Sequence, residues 1–125
     1  MFATAGTDEK LAKARQLGAY EVINHTTQDL PARLREFTNG RGVDVVIEHV
    51  GTATWDRSIK CLTRSGRLVT CGATTGHDAH IDLRVLFVRQ LSLLGSYMEI
   101  AAIQTRAKHQ VTDEKPAVPD GENAR

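Results

Sequence analysis

Val43-Asp44-Val45-Val46-Ile47-Glu48-His49-Val50-Gly51 is the stretch on which the fold turns. It is β-branched and apolar at both parities through Val45-Val46-Ile47. That is the pattern of a strand covered on both faces, and it predicts a strand over Val43 to Val50. Helical patterns flank it. Upstream, Leu30, Leu34 and Phe37 form a stripe at helical spacing, with Thr27, Gln28 or Asp29 to begin the helix. Pro31 is tolerated in its first turn and Gly40 ends it. Downstream, Trp55, Ile59 and Leu62 recur at i, i+4 and i+7, predicting a helix from about Thr54 to Leu62 with Trp55 in the core. Ser65-Gly66 then turns the chain into a strand over Arg67 to Cys71.

The same alternation extends outward. Phe2 to Ala5 reads as a short strand followed by Gly6. Thr7 or Asp8 caps a helix to about Leu17, whose buried stripe is Leu11, Ala14 and Leu17. Asp8 and Glu9 suit the positive end of that helix, and Lys13 and Arg15 its negative end. Gly18 is the stop signal, and Tyr20 to Asn24 is the next strand. Gly72 to Gly76 reads as a loop, Ile81 to Phe87 as either a short helix or an extended edge, and Leu91 to Tyr97 as a last strand. Gln104 to Arg125 has no aromatic residue and no apolar period, and reads as a disordered polar tail behind a domain over residues 1–103. Strand and helix in alternation argue for an α/β fold with a parallel sheet and helices on both faces.

With 125 residues, 41% hydrophobic and 25% charged, the chain has the size and composition of one globular domain. A formal net charge of +1 argues against nucleic acid as a partner. No apolar run approaches a membrane span, and no basic segment followed by an apolar stretch opens the chain. Cys61 and Cys71 make no disulfide framework, which suits a reducing, cytoplasmic setting; both read as packed cysteines. His77-Asp78-Ala79-His80 contains metal-ligand residue types but no recognised ligand spacing, and reads as a solvent loop.

Several segments together resemble one family. They are Thr4-Ala5-Gly6-Thr7-Asp8-Glu9-Lys10, Leu17-Gly18-Ala19-Tyr20-Glu21-Val22-Ile23-Asn24, Gly40-Arg41-Gly42-Val43-Asp44-Val45-Val46, Glu48-His49-Val50-Gly51 and Gly66-Arg67-Leu68-Val69-Thr70-Cys71-Gly72. In order and spacing they resemble the medium-chain dehydrogenase/reductase family of zinc-type alcohol dehydrogenases and quinone oxidoreductases, over roughly Phe2 to Met98. The resemblance implies a Rossmann cofactor sheet of strand order 3-2-1-4-5-6, entered here at its second strand. It is then an incomplete Rossmann-like sheet that lacks the first strand and the glycine-rich turn, since no G-x-G-x-x-G occurs. The separate catalytic domain with its zinc ligands is likewise outside this sequence. Losing a central strand leaves two inner edges unpaired, at about 1–3 kcal/mol for each buried orphan group. Against a total of about 5–15 kcal/mol, that predicts either a marginal, aggregation-prone chain or a rearranged sheet with the first strand here beside the third.

The resemblance also assigns residues. The end of the first strand reads the adenosine ribose. Ala5 stands where an acidic residue would favour NAD, so a 2′-phosphate has room beside Ala5 and Gly6. Thr7 can donate a hydrogen bond to it, and Lys10 and His25 match positions that contact it in NADPH-using relatives. NADP is therefore the expected cofactor of the intact enzyme, with NAD as the alternative; Asp8 and Glu9 weigh against the phosphate. His49-Val50-Gly51 and Cys71-Gly72-Ala73-Thr74 end strands where ribose and nicotinamide would sit, with backbone groups near Cys71, Ala73 and Met98 holding the carboxamide. The plainer reading of Gly51 and Gly72 is that they allow tight turns. No residue here qualifies as catalytic acid, base or zinc ligand. The expected function is part of an NAD(P)H-dependent oxidoreductase moving hydride to or from a carbonyl, enone, quinone or alcohol, inactive alone. The alternatives are a binding module, dimeric through the 91–97 edge strand, or a truncated product without function.

Overall fold

The computed structural model describes residues 1–97. Met98, the predicted boundary at 103 and the predicted tail lie outside the described residues. Five strands and four helices alternate: β1 (Phe2–Ala5), α1 (Asp8–Gln16), β2 (Glu21–Asn24), α2 (Leu30–Phe37), β3 (Val43–Glu48), α3 (Trp55–Cys61), β4 (Leu62–Thr70), α4 (Leu83–Val88) and β5 (Ser92–Gly95). Every strand pairing is parallel.

The helix starts follow from local chemistry. Thr7 is the N-cap of α1, its hydroxyl accepting from the Lys10 backbone N–H at 3.4 Å. Asp29 caps α2, accepting from the Ala32 N–H at 3.1 Å, with Pro31 in the first turn where no N–H is needed. The 81–87 segment, open between helix and strand in the sequence, becomes helix α4 because the Asp82 carboxylate caps it through the Arg84 N–H at 2.8 Å. The predicted turn at Ser65-Gly66 lies inside one nine-residue strand, β4. It is accommodated there by a left-handed Ser65 and a register shift opposite Val43/Val45.

The strands form two sheets. β1 pairs with β2, and β3, β4 and β5 pair in that order. Among the described residues β1 and β3 do not pair, so the rearranged sheet is not adopted. The helices hold the halves together instead. Ile23, Leu30 and Leu34 of the first half bury against Cys61 at the end of α3, with Phe2, Phe37, Val43 and Val46 around them. Ile59, Leu62, Leu68 and Leu91 form the second core, and Val46 packs on both. Val46, Leu68 and Leu93 are aligned across the larger sheet, so this row forms one continuous apolar layer beneath α3.

Two expectations about burial fail. Leu17 is 86% exposed, because α1 ends at Gln16 and the chain turns away before that side chain reaches the sheet. Among the described residues β3 is covered on one face only. Val46 faces the core, whereas Val45 and Ile47, on the opposite face by the two-residue period, are 51% and 64% exposed. The smaller sheet is different. Ile23 faces α2, and the next residue, Asn24, points the other way to donate to Asp8 of α1 at 3.0 Å. Helices therefore flank both faces of β1–β2, but only one face of β3–β4–β5 among the described residues.

Candidate functional site

The predicted site residues gather at the carboxyl ends of the strands, in two groups. Ala5, Gly6 and Thr7 follow β1, Lys10 stands in the first turn of α1, and His25 follows β2. The β1–β2 pairing continues past the strands, with the His25 N–H donating to the Ala5 carbonyl at 3.2 Å. The His25 ring lies over Gly6, and Thr26 donates its hydroxyl to the Gly6 carbonyl at 3.1 Å. Burial, then the neighbouring Arg57 and Lys10 charges, push the His25 imidazole below its ordinary pKa. The group is thus a corner where burial and two nearby cations disfavour the charged form of the histidine.

The second group is two interlocked loops. His49, Val50 and Gly51 follow β3; Cys71, Gly72, Ala73 and Thr74 follow β4. The Cys71 N–H donates to the Glu48 carbonyl at 2.9 Å, and the Thr75 N–H to the Val50 carbonyl at 2.8 Å. The Thr74 and Thr75 hydroxyls donate to the His49 and Val50 carbonyls at 3.1 and 2.7 Å. Gly51 has φ +89°, and a Cβ there would stand 2.3 Å from the Gly76 carbonyl oxygen. Both conformation and space demand glycine at 51, so internal packing suffices to explain it. Gly72 has an ordinary φ, but a Cβ there would press on the His49 carbonyl at 3.2 Å. Gly6 differs from both. Its φ is ordinary and a Cβ would meet only side-chain atoms at 3.4 and 3.5 Å, so nothing among the described residues requires glycine.

Two residues without a sequence-assigned role organise the site. Glu48 is 4% exposed. Its carboxylate accepts from the Val50 and Gly51 N–H groups at 2.6 and 3.1 Å and from the Thr54 and Ser58 hydroxyls. Burial raises its pKa, but these hydrogen bonds together outweigh that and hold it below the ordinary glutamate value. The signal for it was an acidic residue closing an apolar strand, which demands partners wherever it is buried. Arg57 of α3 reaches across to the first half, donating to the His25 carbonyl at 3.2 Å. No local pattern announces a contact between positions 32 apart. Because Arg57 opens from the helix after β3 and His25 follows β2, this bond also shows that the carboxyl ends of β2 and β3 lie at one end of the molecule.

A cleft of about 630 Å³ is lined by His25, His49 and Val50 together with Phe2–Thr4 of β1 and Val43–Glu48 of β3; Ala5, Gly6, Thr7, Lys10, Gly51 and residues 71–74 stand outside its lining. The fit to a dinucleotide phosphate is favourable, since Gly6 is spared by internal packing and the corner around His25 is cationic. The fit to a metal is not. Among the described residues no three His, Cys, Asp or Glu side chains converge. His77 and Asp78 stand 3.8 Å apart, both almost fully exposed. Burial pushes the Cys61 thiol up to about 11, consistent with a packed cysteine. Trp55 is half-buried and donates its indole N–H to the His80 carbonyl at 3.1 Å. Among the described residues no helix is long and apolar enough to cross a membrane.

Comparison with known proteins follows the same lines. Residues 1–109 match the family model described as zinc-binding dehydrogenase. Quinone oxidoreductase 1 of Escherichia coli is 41% identical over 86 residues, which cover 69% of this chain and 26% of that protein. A crystal structure of an NAD-dependent alcohol dehydrogenase superposes with a TM-score of 0.72 at 36% identity, covering 90% of this chain and 33% of that one. The Escherichia coli quinone oxidoreductase crystallised with NADPH superposes with a TM-score of 0.70 at 32% identity, covering 90% and 36%. The chain thus spans about a quarter of the length of the curated relatives it matches. With its α/β topology and its ordered motifs, the chain belongs to the zinc-binding dehydrogenase family, within the medium-chain dehydrogenase/reductase superfamily.

Proposed function

We propose that this chain forms the walls of a nicotinamide-dinucleotide site in an oxidoreductase, and that the dinucleotide is NADP. The observation that carries the reading is that His25, His49 and Val50 line one end of a cleft at the strands' carboxyl ends, the place where open α/β sheets hold ligands. When bound, the cofactor supplies the hydride chemistry, toward a carbonyl, enone, quinone or alcohol. The residues of this chain bind and orient. Ala5 and Gly6 leave room at the end of β1, and the Thr7 hydroxyl, already accepting from Lys10 N–H, keeps its own proton to donate. Lys10, with His25 once protonated, meets the 2′-phosphate. The 49–51 and 71–74 loops present a rigid, hydrogen-bonded wall toward the ribose and nicotinamide. The part proposed for this chain is to hold and orient the cofactor.

Fluorescence titration of the chain with NADPH and NADH tests this. NADPH binds more tightly, Lys10→Glu removes the preference while leaving NADH affinity unchanged, and NADPH affinity rises as pH falls through the histidine range. The sign follows from His25: a bound phosphate stabilises the imidazolium that Arg57 and Lys10 oppose, so binding takes up a proton. Equal affinities for the two cofactors, or no binding of either, overturn the reading. A second role is favoured by β5, which among the described residues pairs only with β4 and leaves Leu94 half exposed beside its other edge. A dimer through 91–97 predicts a defined doubling of mass in light scattering that is lost in Leu93→Pro.

A further inference from the structure

Positive charge gathers at the amino ends of β3 and β4, the end opposite the candidate cofactor site. A pocket of about 190 Å³ there is lined by Arg35 of α2, Arg41 of the turn before β3, Lys60 of α3, Arg64 of β4 and Arg89 behind α4, and by no carboxylate among the described residues. Local structure explains the hollow. β3 and β4 pair at Val43–Leu62 and next at Val45–Arg67, so residues 63–66 bulge out of the ladder opposite Asp44. The bulge is pinned where the left-handed Ser65 donates its N–H to the Arg89 carbonyl at 2.8 Å. On the inner side, a Cβ on Gly42 would stand 2.7 Å from the Cys61 carbonyl oxygen, so the turn after α2 lies directly on the end of α3.

Internal partners account for only part of this charge. Arg41 is taken by Asp44 in a bidentate pair. Arg89 donates to the Ile59 and Leu62 carbonyls, which fixes its place and leaves its charge. Arg35 and Lys60 stand in the last turns of α2 and α3, whose ends together carry about one negative charge. Asp29 acts on neighbouring Cys61, but its carboxylate caps α2 at the Ala32 N–H, and Glu36 is paired with Arg33. Among the described residues Arg35, Lys60 and Arg64 form no ion pair. About two to three positive charges are thus left around one small hollow, more than the roughly 1.5–2 negative charges of a single phosphoryl group. The hollow is well below the roughly 300 Å³ of pockets that enclose a whole drug-sized ligand. We propose that it is an anion site for a diphosphate group, either free or at the end of a nucleotide whose remainder stays outside. Arg35 belongs to the first half of the molecule and Lys60, Arg64 and Arg89 to the second, so an anion held among them clips together two sheets that share no ladder. This goes beyond the cofactor reading and does not depend on it.

The test uses the full chain with sodium pyrophosphate in metal-free buffer, and sodium chloride at matched ionic strength as the control. Calorimetric titration should show saturable binding of one pyrophosphate, and the thermal midpoint should rise and level off with it. Arg35→Gln and Arg64→Gln should each weaken binding about tenfold without altering the circular dichroism, because both side chains are exposed. Lys10→Glu should leave it unchanged. Phenylglyoxal labelling of the unaltered chain, read by mass spectrometry, gives the location without any variant: pyrophosphate should slow modification of Arg35 and Arg64 and spare Arg15. Displacement by ADP at similar affinity assigns the group to a nucleotide, and pyrophosphate binding without ADP binding assigns it to the free anion. An equal response to chloride reduces the effect to general screening and overturns the proposal. Binding lost in Lys10→Glu but kept in Arg35→Gln overturns it in favour of the cofactor corner. Absence of saturable binding, or labelling of Arg35 and Arg64 unaffected by pyrophosphate, overturns it outright. NADPH titration of Arg64→Gln separates the two readings, since the cofactor contacts proposed above remain intact in that variant.

Discussion

The two halves of the molecule are built alike and held differently. β1–α1–β2 is a two-stranded unit flanked by helices on both faces, its strand ends tied by Asn24, which donates to Asp8 and accepts from the Thr26 and Thr27 N–H groups, and by the Thr26 hydroxyl on the Gly6 carbonyl. β3–α3–β4–α4–β5 has three strands and one bare face, but its strand ends are laced by Glu48, Thr74 and Thr75 into a single rigid wall. The glycines record the difference. Gly51 is dictated by the chain's own crowding, while Gly6 sits in ordinary backbone with room for a methyl group. Both halves are tied internally, but the ties crowd Gly51 and leave space at Gly6, beside the Lys10 and Arg57 charges that suit an outside anion.

The strongest way to break this comparison is to place the same methyl group in each half. Gly51→Ala forces a side chain into φ +89° and against the Gly76 carbonyl. It should cost about 3 kcal/mol or more in urea unfolding. Loss under 1 kcal/mol would show that the 49–51 and 72–76 loops are not laced as described. The next largest effect belongs to the junction. Leu34→Ala empties the contact between α2 and Cys61 of α3, at a cost of about 2–5 kcal/mol. Because the two sheets share no ladder, the wild-type chain should unfold in one transition and Leu34→Ala in two. Labelling of the Cys61 thiol, held near 11 and buried, should accelerate with the first. A single transition in the variant would mean that other contacts join the halves.

Glu48→Gln comes third, at about 1–3 kcal/mol for the hydrogen bonds weakened around a buried group. Its signature is pH dependence. The folded Glu48 carboxyl titrates below its unfolded value, so its contribution is complete above the ordinary glutamate range and is lost as pH falls through the lowered folded pKa. The wild-type chain should therefore lose stability on acidification more steeply than Glu48→Gln, and parallel pH profiles would sink this assignment. Gly6→Ala should be the mildest change, within about 0.5 kcal/mol in unfolding, yet it should weaken NADPH binding. A large stability loss would show that Gly6 serves the fold and not the ligand.

Sequence by itself determined most of the elements and their order, but it left 81–87 open between helix and edge and read a turn at 65–66 that lies inside β4. Apolar stripes such as Leu30, Leu34 and Phe37, caps such as Thr7 and Asp29, and the run Val45-Val46-Ile47 are local signals, because backbone dihedrals and side-chain period are set within a few residues. It also placed the predicted site at strand ends. The tertiary structure alone decided which edges stay unpaired and which face of β3 stays bare among the described residues, and that Arg57 spans the halves to the His25 carbonyl. It decided too that Glu48 gathers Ser58, Thr54 and two backbone amides. Those outcomes depend on groups brought together from distant positions, and their energies arise from burial and pairing in space, which no residue's neighbours in the chain encode.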